Sequence, residues 1–224
     1  EWLKYASSES LSYFMYQKPK TAKRLHFEII PKMVDEYHQQ LRAYSGQDFL
    51  GKLNNPVWHI HGNSVPNSHM AVPFSMLLNL ASVSGAEEKG TLWGFIKRYQ
   101  SEASPETHPD LDQAVGFAVA FYNDFVKPKK IYREANELER EAILDLRNKL
   151  SDYEGDLDAE SLQSIVFSCG RERFDPLRKW FQALYEILLG ASQGPRFGGF
   201  IALYGIEETI ALIDSALDGQ FCTN

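Results

Sequence analysis

The string Gln193-Gly194-Pro195-Arg196-Phe197-Gly198-Gly199-Phe200 gathers three glycines, a proline, an arginine and two aromatics. Glycine and proline together specify a tight turn, and glycine lets backbone come close to a ligand. A guanidinium beside a ring at such a turn can hydrogen-bond the edge of one unpaired base and stack on another. A plainer arrangement uses the same residues: a helix-to-helix turn in which Phe197 plugs the core and Arg196 caps carbonyls.

Two basic segments carry related chemistry. From Lys18 to Lys32, the five cations Lys18, Lys20, Lys23, Arg24 and Lys32 outnumber the single acid Glu28, with Tyr13, Phe14, Tyr16 and Phe27 around them. Lys127, Lys129, Lys130 and Arg133 form an acid-free run around Tyr132. Cations contact phosphates and flat rings accept unstacked bases; a solvated basic face satisfies the same pattern.

Other chemistries find less support. His59, His61 and His69 cluster, and two histidines at i and i+2 on a strand point the same way, but spacing supplies no third ligand, so no metal site is expected. The glycines form neither a phosphate-binding G-x-x-x-x-G-K loop nor a G-x-G-x-x-G fingerprint, and no G-x-S-x-G elbow exists. The pairs Glu87-Glu88 and Glu207-Glu208 read as solvated charge. No catalytic residue is expected in this chain.

The elements that must position these residues are helical. Asn136, with Glu139 three residues on, predicts a capped helix whose face is Leu138, Ala142, Ile143, Leu146 and Leu150. Leu162, Ile165, Val166 and Cys169 mark a second. Asp175 as N-cap and Pro176 in the first turn predict a third, with Leu177, Trp180, Phe181, Leu184 and Leu188 on one face and an end near Gly190. Ile206, Ile210, Ile213 and Leu217 mark a fourth, stopped by Gly219. Residues 10–17, 31–44, 73–84 and 110–126 also read as helices, with Pro31 and Pro73 suited to first turns. Val57 to His61 is the best strand candidate. Loops are expected at 45–56, 62–72, 85–90, 101–109, 152–158 and 191–197. The fold class is therefore all-α or nearly so.

Composition agrees with a soluble domain or pair of domains. The chain has 224 residues, 44% of them hydrophobic, and a formal charge of −7, at 25.6 kDa and a pI near 5.4. That total argues against a protein that coats nucleic acid, DNA included, yet it averages over bunched cations. Two cysteines, Cys169 and Cys222, imply a reducing, cytoplasmic setting. No apolar run reaches the roughly 20 residues of a membrane helix, and no signal peptide is evident. Opening at Glu1 without a methionine, the chain is expected to be part of something longer.

Several strings together resemble a known family. Gly194-Pro195-Arg196-Phe197-Gly198, continuing through Phe200-Ile201-Ala202-Leu203-Tyr204-Gly205, and Ala183-Leu184-Tyr185-Glu186-Ile187-Leu188-Leu189-Gly190 are similar to the C-terminal end of class I, archaeal-type lysyl-tRNA synthetases. Glu1-Trp2-Leu3-Lys4-Tyr5-Ala6-Ser7, Phe14-Met15-Tyr16-Gln17, Ala22-Lys23-Arg24-Leu25 and Phe74-Ser75-Met76-Leu77-Leu78-Asn79-Leu80-Ala81-Ser82 fit the same family.

The resemblance implies a helical stem-contact segment at 1–70 and an α-helix cage at 71–224 that receives the anticodon, with a sub-boundary near 101–109. It implies lysine-accepting tRNA and the catalytic domain of the same polypeptide as partners. ATP and magnesium belong to that catalytic domain, whose two signatures are absent here, so no cofactor is expected within the 224 residues and the chain alone should be inactive. Gly194, Pro195, Arg196 and Phe197 are implied to contact anticodon bases, with Trp180 and Phe181 as further candidates. Lys18, Lys20, Lys23, Arg24, Lys127, Lys129, Lys130 and Arg133 would hold the RNA backbone. The equivalent region of glutamyl-tRNA synthetases, or a helical protein-interaction scaffold, are the alternatives.

Overall fold

The computed structural model describes residues 1–62, 64–68, 70 and 72–222. His69, part of the histidine cluster, lies outside the described residues. Among those described there is no strand, which agrees with the all-α expectation, and no helix is long and apolar enough to cross a membrane.

The chain forms two compact units, each built from two stretches: 1–78 with 103–122, and 79–102 with 123–224. The first opens with a single 3-10 turn at Trp2–Lys4, followed by α1 (Ser8–Tyr16), α2 (Ile30–Ser45), α3 (Phe49–Asn54), α4 (Pro56–His61), the start of α5 (Phe74–Ser84) and, after α6 (Lys89–Tyr99), α7 (Pro109–Phe121). Ser7 starts α1 by accepting from the Ser10 amide, which supplies one of the partners a helix end lacks. Asp35 on α2 accepts from the amides of Phe74 and Ser75 at 2.6 and 3.1 Å and so opens α5 from a distance. The core of this unit includes Tyr5, Phe14, Ile30, Tyr37, Val57, Leu111, Val115 and Phe121, all buried. Tyr5 meets the rings of Phe27 and Phe121 edge-on, the arrangement that aromatic quadrupoles favour.

The second unit contains α6, α8 (Glu137–Ser151), α9 (Ala159–Arg171), α10 (Arg178–Leu184), α11 (Phe197–Tyr204) and α12 (Ile206–Leu217). The Asn136 cap is reciprocal: its side chain accepts from the Glu139 amide at 2.9 Å and the Glu139 carboxylate accepts from the Asn136 amide at 3.0 Å. Helix α10 widens into a π turn at Tyr185–Leu189 and stops at Gly190, whose φ of 64° is left-handed. Helices α9 and α11 pack closely because Gly198 carries no side chain: a Cβ there would lie 2.3 Å from the Ala159 carbonyl oxygen.

The structure corrects four local expectations. Val57 to His61 is not a strand but most of α4, because Asn55 accepts from the Val57 amide and Pro56 fills the first turn. The expected loop at 45–56 holds α3, started by Asp48. Helix α6 lies outside the predicted helices because it lacks a side-chain cap to mark its start. Asp175 is not the N-cap of α10, since the first bonds there are tight ones, Lys179 N–H to Pro176 O and Trp180 N–H to Leu177 O.

Candidate nucleic-acid interface

Residues 190–198 form a turn gripped from both sides. Gly190 accepts a hydrogen bond from the Ile131 amide at 3.1 Å, and the Tyr132 ring covers the place a Cβ would take. The Tyr185 hydroxyl donates to the Pro195 carbonyl at 2.8 Å, and its ring lies against Gly194, 2.6 Å from an ideal Cβ. On the other side, Gln163 of α9 accepts from the Gly198 amide at 2.8 Å. One turn earlier on the same helix, Glu160 takes both ends of the Arg196 guanidinium at 2.7 Å each. Ser192, Gln193, Gly194 and Arg196 are exposed. With 59% and 71% of their side chains exposed, Arg196 and Glu160 form a surface pair that contributes on the order of 0.2–1 kcal/mol to the fold.

The aromatic candidates separate by burial. Phe197 and Trp180 are both fully enclosed, so neither ring offers a face to a base in this structure. Trp180 is wedged against Gly170 of α9, donates its indole N–H to the Val166 carbonyl at 2.9 Å and stacks on Phe174. Phe181 is half-buried and meets the exposed Phe167 edge-on, with ring centres 5.2 Å apart.

The 127–133 run is acid-free in sequence but not in space. Arg133 binds Glu139 through both terminal nitrogens, at 2.7 and 2.8 Å, and Glu186 through Nε at 2.6 Å. The Glu139 hydrogen bonds hold its guanidinium above its ordinary value. Glu139 therefore serves the α8 cap and this ion pair at once. Lys127 pairs with Glu87, and Lys129 is exposed. Lys130 donates to the Ser82 carbonyl at 2.7 Å and lies over the Tyr132 ring. Burial pushes its ammonium down to about 8 from 10.5.

That shift has a sign. Between the two values the unfolded chain binds more protons than the folded one, so stability should rise with pH from about 8 toward 10.5 as the buried ammonium is relieved. Urea titrations across this window should show the rise in the natural chain and a flatter profile in Lys130→Met. Equal slopes would mean that Lys130 is not the group responsible.

In the first unit, Lys23 turns back to cap α1: its ammonium bonds the carbonyls of Phe14 and Met15 and lies over the Phe14 ring. Lys32 pairs with Glu36 within α2. Lys18, Lys20 and Arg24 are exposed, and among the described residues no acid pairs with them. Nearby in sequence, Tyr16 stacks on His59 with ring centres 5.0 Å apart. His59 bonds the Leu53 carbonyl and His61 the Tyr37 hydroxyl. No group of three metal-ligating side chains occurs among the described residues.

The amino-acid sequence also has relatives. A model of tRNA synthetases class I (K) matches residues 1–64. A lysine–tRNA ligase of Roseobacter denitrificans is 71% identical over 224 residues, all of this chain and 42% of that protein. The whole of this chain is thus similar to part of a lysine–tRNA ligase. The lysine–tRNA ligases of Rickettsia conorii and Rickettsia felis are each 43% identical over 220 residues, 97% of this chain and 42% of each relative. The chain thus spans less than half the length of the curated ligases it matches. Their match includes the whole 190–198 turn and both basic segments, so the surfaces described above lie within the ligase-like sequence. Glu160, Gln163, Tyr185 and Phe167, which complete the turn and its aromatic flank, did not stand out in the sequence, because each looks like an ordinary helical residue until the fold brings it to the turn.

Proposed function

We propose that this chain is the tRNA-recognising, C-terminal portion of a class I, archaeal-type lysine–tRNA ligase that works in the cytoplasm. The observation that carries the reading is the end-to-end match to lysine–tRNA ligases of a chain whose sequence holds a glycine-proline turn with an exposed arginine. Ligation of lysine, with its ATP and magnesium, belongs to a catalytic domain of the same polypeptide, and the chain alone is inactive. Because the relatives are lysine enzymes, the lysyl reading is preferred to the glutamyl one.

An unpaired anticodon can splay its bases, so its binder needs a fixed concave surface, a few directional groups and stacking planes. In this reading the backbone of Gly194 and Pro195 and the guanidinium of Arg196 meet base edges, while Phe181, backed by Phe167, offers an accessible ring. A stacked base contributes on the order of 1–3 kcal/mol. Phe197 holds the turn from inside the core against Tyr185, and Trp180 packs α10 onto α9. Lys18, Lys20, Arg24 and the exposed Lys127 and Lys129 contact phosphates, which position the RNA without reading it, Lys127 by exchanging its exposed Glu87 partner, whereas Lys23, Lys130 and Arg133 stay with their protein partners.

The test is binding of the chain to lysine-accepting tRNA and to the same RNA with an exchanged anticodon, at fixed salt. Tighter binding of the first is expected. Arg196→Ala should reduce the difference by roughly ten-fold, the scale of one base contact, whereas Lys20→Ala should weaken both RNAs alike and flatten the salt dependence. Equal affinities for the two RNAs would remove the anticodon role, and no affinity for either would favour a helical protein-interaction scaffold.

A further inference from the structure

The Arg196 fork that the proposed reading assigns to bases is already occupied. Both terminal nitrogens donate to Glu160 in parallel, at 2.7 Å each, on the exposed surface of the turn. A pair this exposed adds little to the stability of the fold, so its consequence lies in what it does to the guanidinium. The carboxylate fixes the plane of the fork and spends its bidentate edge, and its negative charge stands where an RNA phosphate would approach.

We propose that Glu160 is a positioning residue that makes Arg196 selective: it holds the fork in one orientation and admits only an RNA group that can replace both of its hydrogen bonds. A base edge offering two coplanar acceptors at that place meets the fork as the carboxylate does. A backbone phosphate can also fill the fork with two oxygens, but its charge is repelled by the neighbouring carboxylate where an uncharged base edge is not, so wrong RNAs held through the backbone are penalised more than the right one. Gln163, one turn along α9, ties the backbone next to Arg196 to the helix that carries Glu160 by accepting from the Gly198 amide at 2.8 Å. This inference rests on the reading that the turn contacts anticodon bases.

The experiment is a cycle of Glu160→Gln, Arg196→Ala and the double variant. Each is titrated with lysine-accepting tRNA and its anticodon-exchanged form over a salt series. Glu160→Gln should tighten binding of the exchanged RNA more than the cognate one and cut the discrimination roughly three-fold, within the range of an exposed ion pair. Its salt slope should steepen by about one phosphate contact. In the Arg196→Ala background the same change should leave the ratio unaltered. Glu172→Gln, at the far end of α9, serves as the charge control and should leave the ratio as it is.

If the natural chain does not discriminate between the two RNAs, the base-contacting reading of the turn fails and Glu160 with it. If the natural chain discriminates and Arg196→Ala abolishes the difference while Glu160→Gln keeps it, the turn stands and the role of Glu160 is overturned. A change in ratio that Glu172→Gln reproduces overturns it as well, as does one that tracks a fall in melting temperature.

Discussion

Gly198→Ala should cost the second unit about 3 kcal/mol, at the upper end of what an overpacked core usually loses. The added methyl carbon would sit 2.3 Å from the Ala159 carbonyl oxygen, 2.4 Å from the Gln163 nitrogen and 2.7 Å from its Cα. All three are backbone atoms of α9, so no side chain can swing aside and the two helices must part. Parting them also stretches the hydrogen bond from the Gly198 amide to Gln163. For a chain of this size the loss corresponds to a fall of roughly 6–12 °C in melting temperature. Gly94→Ala supplies the contrast. That glycine is exposed within α6, with nothing within 4 Å of an added Cβ, so the same substitution should stabilise by up to about 1 kcal/mol through helix propensity. Calorimetry on the two variants should give shifts of opposite sign; a neutral Gly198→Ala would mean that α9 and α11 are not held this close.

Trp180→Ala should be as damaging, on the order of 3–5 kcal/mol, since it empties a large, fully enclosed site. The void opens between α10 and Gly170, and the Val166 carbonyl loses its indole partner. Trp180→Phe separates packing from recognition. It keeps a ring in the site and gives up the hydrogen bond, for a loss of about 1–2 kcal/mol. If Trp180 serves only to pack α10 onto α9, this variant keeps the natural ratio of affinities for cognate and anticodon-exchanged tRNA. A changed ratio in a fully folded Trp180→Phe chain would return the ring to the binding surface.

The helices that could be read from the sequence are those with an apolar stripe and a cap in the same chain segment. Helix α8 is the clearest case: Asn136 and Glu139 form both halves of the predicted box, and Ala142, Ile143, Leu146 and Leu150 are buried as the spacing required, whereas Leu138, first on the predicted face, is exposed in the opening turn. Short helices were harder. In α4, Asn55 and Pro56 are the cap and the first turn, and fewer than two turns leave no period to detect. The turn itself was legible because glycine and proline betray backbone geometry. Its supports were not, for Glu160 and Gln163 lie 36 and 35 residues from the groups they hold. Charge runs suffered the same limit: the 127–133 cations are acid-free along the chain, yet Arg133 finds Glu186 across 53 residues.

Because the chain crosses between its two units at 78/79, 102/103 and 122/123, no single cut separates them. A polypeptide ending at residue 78 would lack Leu111, Val115 and Phe121, which wall the first core. One running to 122 would carry residues 79–102 stranded from the helices they belong with. During synthesis the first unit must wait for its missing wall until well after its own beginning has left the ribosome. The second completes only near the end of the chain. Shortening either end can therefore keep one unit whole only with a piece of the other attached: 79–102 stays with the first, and 103–122 with the second.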